Sequence, residues 1–98
     1  MTLKELTPEL ALKLWEKSLL KDRTSEQQAI SHGLFDVYEL ETEKNKLQWT
    51  QNYQGYNVNA ELLRAKEKAL SLHRDIIDIV TKRLEKVKPV LIKYLANL

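Results

Sequence analysis

From Leu63 to the last residue, a branched aliphatic side chain returns at every seventh position: Leu63, Leu70, Ile77, Leu84, Leu91 and Leu98. Three residues beyond the first five stand Lys66, His73, Val80, Val87 and Tyr94, so the three-and-four spacing of a helical seam runs almost unbroken. A second seam lies beside it, Leu62, Ala65, Ala69, Leu72, Ile76 and Ile79, and stops at Arg83. One long helix with two apolar flanks as far as Val80, and a single flank afterwards, is expected to sit between two neighbours along its first half. Along its second half it needs only one.

The remainder of the chain supplies those neighbours. Thr7 is a good N-cap, Pro8 suits the first helical position and Glu9 complements the positive helix end. A first helix follows, with Leu12, Trp15 and Leu19 on one face and Leu14 beside it, ending near Lys21. Trp15 belongs to an apolar face and reads as core. Thr24 with Gln27 three residues on forms a capping box that opens a second helix. Its buried face is Ile30, Leu34, Val37 and Leu40, with Phe35 and Tyr38 alongside. Gly33 inside this helix costs about 1 kcal/mol relative to Ala, which implies close packing or a kink there. Past Leu40 the apolar pattern thins to Leu47 and Trp49, and the helix is expected to run to about Thr50 or Tyr53. Gln51–Asn59 reads as a loop, with Asn57 or Asn59 capping the third helix. Pro89 removes a backbone donor and clashes with the carbonyl of Glu85, so a kink, or a short fourth helix over the last ten residues, is expected. The unbroken heptad phase favours the kink.

The expected fold is therefore all-α: residues 1–98 form a single domain, an antiparallel bundle of three helices with the third kinked or split at Pro89, a split giving a four-helix bundle. With only two glycines, two prolines and 43% hydrophobic residues, the composition suits a helical core closed without disulfides or metal. There is no cysteine, hence no thiolate ligand or thiol nucleophile, as is usual in a reducing compartment. The opening MTLKELTPEL lacks a signal-peptide pattern, and no apolar run approaches the ~20 residues that cross a bilayer. A soluble, cytoplasmic protein without membrane contact is the expectation.

Residues with recognisable chemistry are sparse. There is no phosphate-binding glycine loop, no paired histidine at metal spacing and no nucleophile elbow. His32 reads as a surface residue and His73 as a core-edge histidine holding a hydrogen bond. Glu39, Glu41 and Glu43 point in different directions along a helix, and Asp75 with Asp78 lacks a third ligand. The expectation is no enzyme, no cofactor, no metal site and no small-molecule substrate.

Three surfaces remain. After Val80 the second flank has vanished, leaving Leu84, Val87, Leu91, Tyr94 and Leu98 as a tail stripe for a protein partner or for self-association. Trp49, Tyr53 and Tyr56, set among amides, form a second candidate contact surface. Arg64, Lys68, Lys82, Lys86 and Lys93 share one sector of the third helix, interrupted by Asp75, and form a candidate track for a DNA or RNA backbone. The chain carries seven basic against nine acidic residues over 1–59, and nine against five over 60–98. Two functional readings follow. The first is a non-enzymatic interaction or assembly protein, such as an adaptor, an inhibitor or a small subunit of a larger complex. The alternative is a sequence-independent nucleic-acid-backbone-binding subunit of a ribonucleoprotein or DNA complex.

Overall fold

The computed structural model describes residues 1–21, 24–54 and 59–98. A single 3-10 turn, Leu3–Glu5, precedes three α-helices: α1 (Pro8–Leu19), α2 (Ser25–Asn52) and α3 (Ala60–Ala96). The expected all-α bundle with a long third helix is what forms. Each start is set by the cap read from the sequence. The Thr7 side chain accepts from the Leu10 amide and Pro8 opens α1. Thr24 and Gln27 complete a reciprocal capping box on α2. The Asn59 side chain accepts from the amides of Glu61 and Leu62 to start α3. Asn57, the other candidate cap, lies outside the described residues. Pro89 sits inside α3, which continues to Ala96, so the helix is not split there.

Helix lengths dictate the shape. At 1.5 Å per residue α1 spans about 18 Å, α2 about 42 Å and α3 about 55 Å. The molecule is accordingly a rod, 53 Å long and 21 Å across. A short connection joins α1 to the start of α2, so α1 folds back along the first half of α2. Because α2 and α3 run antiparallel, that half lies opposite the end of α3.

The core therefore gathers Leu6 and Ala11 from the N-terminal segment, Leu34 and Val37 from α2, and Leu91 and Leu95 from α3. Leu84, Leu14 and Tyr94 pack around it. Close approach is achieved in two ways. Ser18 and Ser31 hydroxyls meet at 2.7 Å between α1 and α2. Gly33 faces α3, where a Cβ would stand 3.2 Å from Val87 Cγ2 and 3.4 Å from Leu91 Cδ2. Trp15 stacks obliquely on Phe35, centroids 5.0 Å apart, on the same side.

This arrangement reverses the expected distribution of neighbours along α3. The tail after Val80 is the part held between two elements, and Leu91 and Leu95 are fully buried. Among the described residues, the first half has α2 alone beside it. The reason is connectivity: α1 is too short to reach the far end of α2, and chain order fixes which end it covers.

Candidate functional site

Beyond α1 the molecule is a two-helix arm, built from the second half of α2 and the first half of α3. Three polar contacts fix its register. Lys66 Nζ donates to the backbone carbonyls of Gln51 and Tyr53, at 3.2 and 2.9 Å, and so caps the negative end of α2 with a cation. His73 Nδ1 donates to Glu43 Oε2 at 2.8 Å, and Lys46 reaches the other oxygen of Glu43 at 3.3 Å. A carboxylate only accepts, so this nitrogen carries the proton. Where the arm meets the three-helix end, Arg83 binds Asp36 and Glu39 of α2.

The electrostatics of these groups follow from burial and pairing. Burial pushes the Glu43 carboxyl up, but hydrogen bonds from His73 and Lys46 and their charge outweigh it, holding the group below its ordinary value. The hydrogen bond to Asp36 raises Arg83, against the opposing effect of burial, with the charges of Asp36 and Glu39 adding to the rise. Both clusters tie α2 to α3. Among the described residues no group of three His, Cys, Asp or Glu is positioned to hold a metal ion. No helix of the described residues is long and apolar enough to cross a membrane.

The arm leaves apolar surface uncovered. Leu62 is 46% exposed, Leu72 57% and Ile79 58%, all from the second flank of α3. On α2, Trp49 is 65% exposed and stacks on Tyr53, ring centroids 5.1 Å apart and planes 26° from parallel. Trp49 also lines a shallow groove with Thr42, Lys46 and His73. At the opposite end of the rod Leu91 and Leu95 are buried, whereas Leu19, Leu20, Ile92 and Leu98 are exposed.

The partner-binding residues expected in the tail require correction. Leu91 lies inside the core, Leu84 and Tyr94 pack against that core, and Val87 meets the Gly33 face of α2. Of the five, Leu98 alone is mainly exposed. Two apolar flanks on the first half of α3 imply two covering helices there and a bare tail, whereas chain order sets α1 at the other end of the rod. Trp49 and Tyr53 are brought together at the surface, whereas Tyr56 lies outside the described residues. The basic residues Arg64, Lys68, Lys82, Lys86 and Lys93 are all exposed along one side of α3. Asp75 and Asp78 share that side, and Lys82 is held by Asp78 at 3.0 Å.

Sequence reasoning recognised the second flank but assigned it a covering helix. The signal that could have corrected this was length, since twelve residues of α1 cannot cover twenty-eight of α2. Lys66 and the Asp36–Arg83 pair were visible only as polar residues interrupting apolar stripes. No protein-family model, curated protein or solved structure matches the chain.

Proposed function

We propose that this chain is a non-enzymatic interaction or assembly protein that acts by presenting the apolar flank of its two-helix arm to a protein partner. The observation that carries this reading is the alignment of exposed apolar residues along one flank of the arm. Leu62, Leu72 and Ile79 are exposed along a single flank of α3 with three-and-four spacing, and the arm also exposes the Trp49–Tyr53 stack on α2. Exposed aliphatic residues along one helix flank, with an amphipathic aromatic pair nearby, make up the composition of an interface centre. The ties Glu43–His73 and Asp36–Arg83 join the two arm helices, so little conformational entropy is lost when the flank docks.

The test is Leu72→Glu combined with Ile79→Glu. The variant should keep its helical circular dichroism and, below the concentration at which the wild type associates, unfold at the same denaturant concentration, while losing association with itself or with any partner that the wild type binds. Loss of the fold would mark the flank as packing within the chain and would end this reading.

Contact with a nucleic-acid backbone through Arg64, Lys68, Lys82, Lys86 and Lys93 is the second reading. Its support is the exposure of all five along one helix side. Against it stand Asp75 and Asp78 in the same sector, with Lys82 already engaged.

A further inference from the structure

The second flank of α3 has a property that a generic docking surface lacks. Its residues Leu62, Ala65, Ala69, Leu72, Ile76 and Ile79 are spaced three, four, three, four, three, a series that reads the same in both directions. We propose that the partner of this flank is a second copy of the chain, packed antiparallel about a two-fold axis between residues 70 and 71 of α3. This rests on the reading of the arm as an interaction surface and names its occupant.

Antiparallel superposition about that axis sets Leu62 against Ile79 of the second copy, Ala65 against Ile76 and Ala69 against Leu72. Each inner layer pairs a small side chain with a large one, so the two helices keep a constant separation along the contact. A parallel, in-register pair would set alanine on alanine and leucine on leucine, pinching the helices at two levels and spreading them at others. Interhelical distance follows the side chains at the contact, so the size pattern selects the antiparallel arrangement.

The charges beside the flank agree. Glu61, Lys68, Asp75 and Lys82 recur every seventh residue along one edge of it, alternating in sign. In an antiparallel coiled pair this edge faces its own counterpart, which brings Glu61 to Lys82 of the second copy and Lys68 to Asp75. By symmetry there are four opposite-charge contacts and no like-charge one. Pairing of this kind governs orientation in helical coils. All four side chains are exposed, and among the described residues Glu61, Lys68 and Asp75 make no ion pair within the chain. Lys82 holds Asp78 in an i,i+4 pair that is largely solvated and is exchanged at little cost. Asp75, which only interrupts the basic sector of a single chain, acquires a partner in Lys68.

The opposite edge of the flank is closed by α2. Flank and main seam lie about 100° apart around α3, since each seam residue follows a flank residue by one position and successive residues turn by about 100°. The two-fold therefore carries both α2 helices to the same side of the α3 pair. The two arms together complete a four-helix bundle, with the Trp49 groove at its centre and the two α1-covered ends pointing outward. The arm helices are already formed in the single chain, so association need not bear the cost of nucleating them.

The experiment is sedimentation equilibrium of the full chain over a wide concentration range, with K68E, D75K and the double K68E/D75K. The wild type should sediment as a dimer. Each single swap puts like charges together twice and should weaken the dimer about tenfold or more, and the double swap should restore it. Residues 68 and 75 are about 10 Å apart along one helix, so no contact within the chain can produce that rescue. Orientation is read by spin labels on cysteines introduced at Ser71 and, separately, at Lys86. The Ser71 labels should be close, and the Lys86 labels about 45 Å apart; equal spacing at both sites would overturn the antiparallel arrangement. A wild type that stays monomeric, or a double swap as weak as the two single ones combined, overturns self-pairing. A monomeric wild type whose flank still binds another chain, lost on Leu72→Glu, leaves the interaction reading standing and removes only the second copy. A flank whose substitution changes no association of any kind removes both.

Discussion

Arg83 donates from Nε and Nη2 to a single oxygen of Asp36, at 3.0 and 2.7 Å, and leaves Asp36 Oδ2 buried without a partner among the described residues. The carboxylate is almost wholly inside, whereas the guanidinium is half exposed and also reaches Glu39 at 3.2 Å. The pair closes the junction between the three-helix end and the arm.

Removing the cation alone leaves a buried carboxylate with no compensation. Arg83→Met should lower stability by about 2 kcal/mol, below the full range for a buried pair because the arginine is half solvated. Asp36→Val with Arg83→Met should recover most of that loss, since the uncompensated charge is then gone. Urea unfolding of the two variants measures the difference.

Glu43 gives the stability its acid limb. Its carboxyl is held below its ordinary value near 4.5 in the folded chain, so the stabilising contribution is complete above that value. It is lost as pH falls through the folded-state value, where the native carboxylate takes up its proton. Glu43→Gln should be less stable than wild type at pH 7, and the gap should shrink below about pH 4.5. Thermal unfolding from pH 7 to 3 tests the sign; a gap that widens in acid would contradict it.

The two ends of α3 should respond oppositely to truncation. Leu91 is fully buried between α2 and the N-terminal segment, so Leu91→Ala should cost about 3 kcal/mol. Leu72 is mostly exposed, and Leu72→Ala should stay within about 0.5 kcal/mol once measured below the concentration at which copies pair. A large loss at Leu72 in the monomer would return the arm to the core.

Gly33 balances two effects. Alanine there gains about 1 kcal/mol of helix propensity but brings its Cβ within 3.2 Å of Val87 Cγ2, closer than side chains ordinarily rest. Val87 is partly exposed and can yield by a few tenths of an ångström, so Gly33→Ala should change stability by less than about 1 kcal/mol. Gly33→Leu has no such room, with Leu91 behind Val87, and should cost about 3 kcal/mol or fail to fold. Denaturant midpoints of the two variants decide it.

Local physics was well written in the sequence and long-range pairing was not. Thr7, Thr24 with Gln27, and Asn59 bond to backbone groups two or three residues away, so a cap is legible from the residues it serves. The apolar face of α2 and the packing at Gly33 were equally open, because helical periodicity decides them. Which helix covers which flank depends on length and chain order, and periodicity is silent on both. Leu72 and Leu91 look alike as heptad residues, yet only one is buried. The ties Glu43–His73 and Asp36–Arg83 join residues 30 and 47 positions apart, and no local pattern links them. Trp49 and Tyr53 were legible as a pair through their i,i+4 spacing, since that spacing alone stacks them.

The basic sector of α3 provides the last prediction. Phosphate tracking needs several cations released from counter-charge at once, and affinity then falls with salt at a slope close to the number of contacts. Here Asp75 and Asp78 lie among the lysines, Asp78 holds Lys82, and the dimer would engage Lys68 as well. Short single- and double-stranded DNA and RNA should therefore show no anisotropy change at about 0.15 M salt and only weak binding below it. A salt slope of roughly −3 to −5, abolished by Lys82→Glu with Lys86→Glu at unchanged thermal stability, would restore the nucleic-acid reading. It would also compete with self-pairing for Lys68 and Lys82, so added RNA should then dissociate the dimer. If nucleic acid binds and the dimer persists unchanged, the two surfaces are separate, and the pairing of Lys68 with Asp75 is wrong.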